Sequence, residues 1–471
     1  MAEGGVRHYT EWTPRLINRS RYEYEDESKE TNTIMNLLGY GPVIRQKRIE
    51  AWKEFDRLQN AHNNKNNTGW WITAGSKSEG LTCFLESDRD SLHVLPFTVC
   101  VEDGFDTRTL PFYINVFKMD MQSCNAGYCR LLVERICPSL PWVIIHSATN
   151  DEHGSILMNS TYFVEYYREH YRWSDSTVKH ARAGPSVPYS DGPVRHDLVG
   201  AFHCNCLIIL QKWASRARHW PPPEIVEKVI AMGAFVTPIG FKWSEYNDIE
   251  WRICFNTAET ELVNNLNDTQ VKIYVIMKMI VNDVLKPQAK EVTSYILKNI
   301  VLWLAENNPQ TLFHSGSLLH WLHEGLDVLR TAISVRQLPY YMIPERNLMA
   351  EREFDVDQQR ELVRSITDMI NEGPRMLLRL NKIRQAIICH PEPLLWYSKM
   401  RTELEMLLLE KNNIEIRCSD EDLMIDQSSE FKKLFKTYIR MAQIGLLVWM
   451  RMLLEGSSVD DPSVVVNSIL S

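Results

Sequence analysis

Ile72 to Gly104 read ITAGSKSEGLTCFLESDRDSLHVLPFTVCVEDG, and no other stretch of this chain constrains its fold and chemistry as tightly. A Gly-Ser pair, Gly75-Ser76, follows the apolar run WWI, and Asp88 and Asp90 stand two apart where a strand signal begins. Residues i and i+2 of a strand face the same side, so both carboxylates enter one space, where they repel unless a divalent cation lies between them. Hard oxygen donors favour Mg²⁺ or Mn²⁺. A short turn with free backbone N–H groups just ahead can cradle a triphosphate, with the Ser76 hydroxyl as a further donor. The ordinary alternative is a pair of solvated acids at a strand end. Asp355-Val356-Asp357 shows how such a pair arises without chemistry: it precedes the helical run QQRELVRSITDMI, where capping and dipole charge account for it. A third carboxylate strengthens the metal reading, and Asp197 in RHDLVGAFHCNC is the candidate, an exposed strand-end acid being its alternative. In EWRICFNTAETELV, Arg252 sits at a sheet-to-helix junction from which it could reach a phosphate or a base, or else pair with Glu259.

Working outward, residues 1–30 are polar and tyrosine-rich and are expected as a flexible arm. From Thr31 a helical pattern runs to about Leu58, broken near Gly39-Tyr40-Gly41-Pro42. Short apolar runs follow (LHVLPFTVCV, LPFYINVF, WVIIH, DLVGAFHCNCLIIL), the signature of a mixed sheet with few helices. From Trp251 the period becomes 3.6 and stays helical to about Cys389. The expected division is therefore a long helix and sheet lobe over 31–250, a helical lobe over 251–390, and a C-terminal helical extension and tail over 391–471, an α+β chain.

The chain has 471 residues, enough for two or three structural units. With 44% hydrophobic and 24% charged residues it is neither collagen-like, coiled-coil nor largely disordered. A net charge of −8 excludes a histone-like polycation, so any nucleic-acid surface has to be a local patch. The opening residues show no secretory pattern and no run approaches the roughly 20 apolar residues that cross a bilayer, so a soluble, cytoplasmic protein with no membrane partner is expected. Ten scattered cysteines fit reduced thiols, including Cys204 and Cys206 beside His203.

GS-x-x-EG followed by SDRD, then HDLVGAF, EWRICFNTAE, VIMKMI and PYYMIPERNL, in this order, resemble the Mab-type nucleotidyltransferase family, which includes cyclic GMP-AMP synthase and the animal cGAS-like receptors. The similarity spans roughly residues 35–380. It implies a bilobal nucleotidyltransferase fold, with catalytic carboxylates in the sheet lobe. It places Ser76, after Gly75, on the nucleotide-cradling serine, and Asp88, Asp90 and Asp197 on the metal carboxylates. Arg252 to Glu259 falls on the segment lining the nucleotide pocket, Lys278 on a phosphate-facing lysine and Ser294 on a nucleotide-contacting serine. The implied reaction joins two NTPs, such as ATP and GTP, into a cyclic dinucleotide with Mg²⁺ or Mn²⁺, in innate immune sensing.

The vertebrate synthase carries a His-Cys-Cys-Cys zinc ribbon between the pocket segment and the lysine helix. Leu262 to Lys278 here contains no His and no Cys, so no zinc is expected there. Family members lacking the ribbon include RNA sensors, so double-stranded RNA is expected over DNA as the activating ligand. Arg45, Arg48 and Lys53 on the early helix, with Arg216 and Arg218, are the candidate nucleic-acid contacts. A solvated helix face is the plain alternative for each cluster. The rival function is a non-catalytic Mab-type scaffold with a vestigial pocket, against which the retention of three acids and Ser76 argues. A D-x-D glycosyltransferase leaves Gly75-Ser76 unexplained.

Overall fold

The structure, a computed structural model, describes residues 23–64, 68–137, 141–151, 154–170, 177–181, 184–192, 194–419 and 427–457, with Val465, Asn467, Ile469 and Leu470. Most of the expected N-terminal arm lies outside these residues, but its last part is already helical: α1 spans Glu25–Met35, with Glu25, Asp26 and Glu27 in the first turn, where negative charge suits the helix dipole. The break expected near Gly39 is present. Gly39 adopts φ +85°, a left-handed conformation open to glycine, and Pro42 then opens α2 (Pro42–Asn64).

Among the described residues eleven strands follow, mixed with short helices. They are β1 (Trp70–Ala74), β2 (Arg89–Val101), β3 (Asn115–Asp120), β4 (Tyr128–Arg135), β5 (Ala148–Asn150), β6 (Ile156–Met158), β7 (Val178–Lys179), β8 (Val187–Asp191), β9 (Val194–Asn205), β10 (Ala234–Thr237) and β11 (Glu250–Cys254). Between them lie α3 (Gly75–Ser78), α4 (Trp142–Ser147), α5 (Ser160–His170), α6 (Leu207–Ala214) and α7 (Pro223–Met232). The sheet runs β1-β2-β3-β4-β11-β10-β9-β8-β7, and a further parallel pairing of β2 with β9 joins the two halves of that path. WVIIH, expected as a strand, is α4: Val143, Ile144 and Ser147 are buried at helical spacing, a pattern that so short an apolar run does not distinguish from a strand. DLVGAFHCNCLIIL divides into the end of β9 and the start of α6. The sheet lobe extends to Cys254, past the expected boundary at 250, because β11 pairs with both β4 and β10.

The helical part contains α8 (Asn256–Asn264), α9 (Asp268–Ile280), α10 (Ser294–Asn307), α11 (Leu318–Val335), α12 (Val356–Glu372), α13 (Asn381–Cys389), α14 (Leu394–Ser419) and α15 (Gln427–Leu454). Capping boxes start two of these: Asn267 with Gln270 at α9 and Asp355 with Gln358 at α12, the role expected of the second acid pair. The fold class is thus α+β, a mixed sheet with many helices. The largest apolar cluster among the described residues runs through both parts, from Phe117, Phe202 and Trp251 in the sheet to Ile276, Leu322 and Ile366 in the helices. The ten cysteines are free, and Cys204 and Cys206 are fully buried.

Candidate active site

Strand register brings the acids together. Antiparallel β1–β2 pairing sets Ala74 opposite Asp90, and parallel β2–β9 pairing sets Asp90 opposite Asp197. Directly after Ala74 the chain turns through Gly75 at φ +63°, so the Gly75–Ser78 turn sits above the Asp90 carboxyl. A Cβ on Gly75 would lie 2.2 Å from Asp90 Oδ2, so the approach requires glycine on both steric and conformational grounds. The turn is tied down from behind. The buried Lys77 ammonium donates to the Cys83 carbonyl at 2.7 Å, and Ser78 Oγ donates to the Gly75 carbonyl at 3.0 Å. Gly75→Ala is expected to cost about 1–2 kcal/mol in backbone strain alone, with the Asp90 clash added. Thermal unfolding of the variant checks this, and an unchanged melting temperature would contradict the tight approach.

Asp90 and Asp197 lie close enough to repel each other, and each also feels the charge of Asp88. Burial and then repulsion from Asp197 and Asp88 push the Asp90 carboxyl up to about 7. Asp197 is raised by burial and by Asp88, against a hydrogen bond from Ser186 Oγ at 3.3 Å. Asp88 is exposed, just ahead of β2, and among the described residues no three His, Cys, Asp or Glu side chains already converge as a closed ligand set. The donor set nonetheless fits a hard divalent cation, because hard oxygen ligands in mutual repulsion gain most from charge placed among them.

A cavity of about 260 Å³ opens beside these carboxylates. All the nucleotide and metal candidates line it except Asp88 and Lys278: Gly75, Ser76, Asp90, Asp197, Arg252, Glu259 and Ser294 are on its wall. Lys278 stands just behind, its Nζ 2.6 Å from Ser76 Oγ, and burial lowers its pKa against the pull of Glu79 and Glu86. Glu259 does not pair with Arg252. Its buried carboxylate accepts from Tyr340 Oη at 2.6 Å, Tyr295 Oη at 2.9 Å and Lys298 Nζ at 3.3 Å, which makes it a positioning residue.

Sequence reasoning missed Lys298, Glu79 and Tyr295, all on the cavity wall. Lys298 bridges Glu79 at 2.6 Å as well as Glu259. Burial opposes its charge, but Glu79 and then Glu259 outweigh burial and hold its pKa well above the usual lysine value. A signal was present: Lys298 follows Ser294 by one helical turn in TSYILK, which puts both on one face of α10.

The candidate nucleic-acid contacts fare differently. Arg45 is buried and donates to the Glu79 carbonyl at 3.0 Å and the Val263 carbonyl at 2.8 Å. Arg48 is buried in a two-pronged ion pair with Glu405, at 2.8 and 2.7 Å. Arg216 pairs with Glu306 at 2.9 Å and stacks on Trp303, and Arg218 stacks on Trp213. These four guanidinium groups serve the interior of the fold and form no basic face. Lys53 alone of the five is an exposed cation.

Residues 269–368, from α9 into α12, match the family model described as the Mab-21 protein HhH/H2TH-like domain. The helical side of the cavity, with Lys278, Ser294 and Lys298, is therefore similar to that domain, while the carboxylates of the sheet lie outside the match. No curated protein matches the chain.

Proposed function

We propose that this chain is a nucleotidyltransferase that joins two nucleoside triphosphates, ATP and GTP among them, into a cyclic dinucleotide. The observation that carries the reading is the register that sets Asp90 against Asp197 directly beneath the Gly75-Ser76 turn, with a cavity in front. In each transfer a ribose oxygen bonds to an α-phosphorus, the bond to pyrophosphate breaks, and the hydroxyl proton leaves to solvent. Asp88, Asp90 and Asp197 would hold Mg²⁺ or Mn²⁺, which supplies positive charge to the attacking and leaving oxygens. The turn offers backbone N–H groups and the Ser76 hydroxyl to phosphate oxygens, with Lys278 behind Ser76 adding charge to that hydroxyl. Arg252 and Lys298 flank the cavity as fixed cations, while Glu259 and Glu79 hold Lys298 in place. Positioning and fixed charge account for most of the rate gain such a site can provide.

The activating ligand in this reading is nucleic acid, double-stranded RNA before DNA, gripped through its phosphate backbone in an immune-sensing role. This part rests on the resemblance of the motifs and, of the five basic candidates, keeps only Lys53 as a surface contact. The test uses the purified chain, four labelled NTPs, Mg²⁺ or Mn²⁺ and a panel of nucleic acids, with products separated by chromatography. A phosphatase-resistant dinucleotide is expected. Absence of product under every condition overturns the transferase, whereas product that no nucleic acid stimulates removes only the receptor role.

A further inference from the structure

α15 uses one face to pack and leaves the other bare. Thr437, Ile444 and Val448 are buried, and the last two share a core with Met400 and Leu404 of α14. On the opposite side Phe431, Phe435, Ile439, Leu446, Met450 and Leu453 are each at least 40% exposed, and the exposed Tyr438, Leu447 and Leu454 flank them. At about 100° per residue these six fall within a sector of about 100°, so they form one continuous stripe along a helix about 42 Å long. Solvent-facing apolar stripes of this length mark interaction surfaces.

The helix itself is predominantly basic. The helix carries Lys432, Lys433, Lys436, Arg440 and Arg451 against the single acid Glu430, in a chain whose net charge is −8. Glu430 is taken by Lys433 and Arg417, and Arg440 by Glu403. Lys432 and Lys436, exposed on one edge of the stripe, have no acidic partner among the described residues.

We propose that α15 docks on a membrane surface of anionic phospholipid, lying parallel to it with the apolar stripe at the acyl boundary and the lysine edge among the headgroups. No helix among the described residues is long and apolar enough to cross a membrane, which bears on spanning a bilayer and leaves lying against one open. One observation favours lipid over a second copy of the chain. A second α15 brings no free acid to Lys432 and Lys436, since Glu455, just beyond its end, is already bonded to Arg451 and Tyr397. A headgroup surface supplies the apolar depth and the negative charge together. The nucleotide reaction does not enter this inference, because no residue of α15 lines the cavity.

The test is flotation of the full chain with vesicles of phosphatidylcholine alone or of phosphatidylcholine with phosphatidylserine, alongside light scattering. Binding to the anionic vesicles only is expected. Lys432→Glu/Lys436→Glu and Phe435→Ser/Leu446→Ser are each expected to weaken it by at least about tenfold with unchanged thermal unfolding, since these side chains make no core contact. Absence of binding, equal binding to neutral vesicles, or full binding by the lysine variant overturns the proposal. A concentration-dependent dimer that Phe435→Ser/Leu446→Ser dissolves, with no vesicle binding, also overturns it and assigns the stripe to a second copy.

Discussion

Glu405→Ala is expected to destabilise the protein by about 3–5 kcal/mol, the largest single-residue effect anticipated here, because it strands the Arg48 guanidinium in the interior. Arg48 and Glu405 are both buried to about 1% exposure, 357 residues apart, and they tie α2 to α14 through two parallel N–H···O bonds. Burial disfavours the Arg48 charge, but Glu405 outweighs burial and holds the Arg48 pKa above the usual arginine value. Denaturant unfolding of Glu405→Ala checks the figure. The double variant Arg48→Met/Glu405→Leu is expected to recover most of the loss, since well-packed apolar replacements remove both desolvation costs. Near wild-type stability of Glu405→Ala would mean that the ion pair is not formed in solution. The result also bears on sensing, because charge reversal at Arg48 would then abolish activity by unfolding and reveal nothing about ligand contact.

Asp90→Asn is expected to lower dinucleotide formation by at least about 10³-fold while making the protein more stable above neutral pH. The two effects have one cause. The Asp90 carboxyl, near 3.8 in an unfolded chain, is raised to about 7 by burial and by Asp197 and Asp88. The folded state therefore holds a proton that the unfolded state has released, and stability present below about pH 4 is lost as pH climbs to about 7. At roughly 1.4 kcal/mol per pH unit the loss is on the order of 2–4 kcal/mol, the lower value allowing for water at this partly exposed side chain. Asparagine carries no such charge. Wild type and variant should match near pH 4 and diverge by pH 8, with the variant melting higher, and Mg²⁺ should raise the melting temperature of the wild type more than that of the variant. A wild type as stable as the variant at pH 8 in metal-free buffer would show that the three acids do not share a site.

Much of the cavity was legible because its residues are adjacent in sequence or placed by strand periodicity. Gly75, Ser76 and Asp90 lie on one strand–turn–strand unit, where period-2 alternation already sets the carboxyl side. Asp197 needed the β2–β9 pairing, which no local pattern specifies: as the one acid opening an apolar strand signal it was a candidate with an equal alternative, and only the order of motifs favoured it. Lys298 and Glu79 look like ordinary charges on an amphipathic helix and a turn, and only tertiary contact makes them a buried pair. The same limit misassigned Arg45 and Arg48. Their faces of α2 look solvated until α8 and α14 cover them, and the sequence of a helix does not name the element that will pack on it. WVIIH failed for another reason, since a run of five residues is too short for either period to show.

The pairing of Asp90 with Asp197 has a consequence for how this chain can change over time. The two acids are aligned by a shared ladder of backbone hydrogen bonds in which Asp90 meets Asp197 and Ser91 meets Leu198. Side-chain direction alternates along each strand, so a shift of one residue in either would turn one carboxyl to the opposite face and bring an apolar neighbour into its place. The gain or loss of a single codon beside Asp90 or Asp197 would therefore separate the pair, whereas further along the ladder extra residues are already absorbed between Val94 and Val99. The lineage of such a protein must therefore take up length changes away from the first turns of these two strands, in the connecting loops or in the irregular stretch between Val94 and Val99.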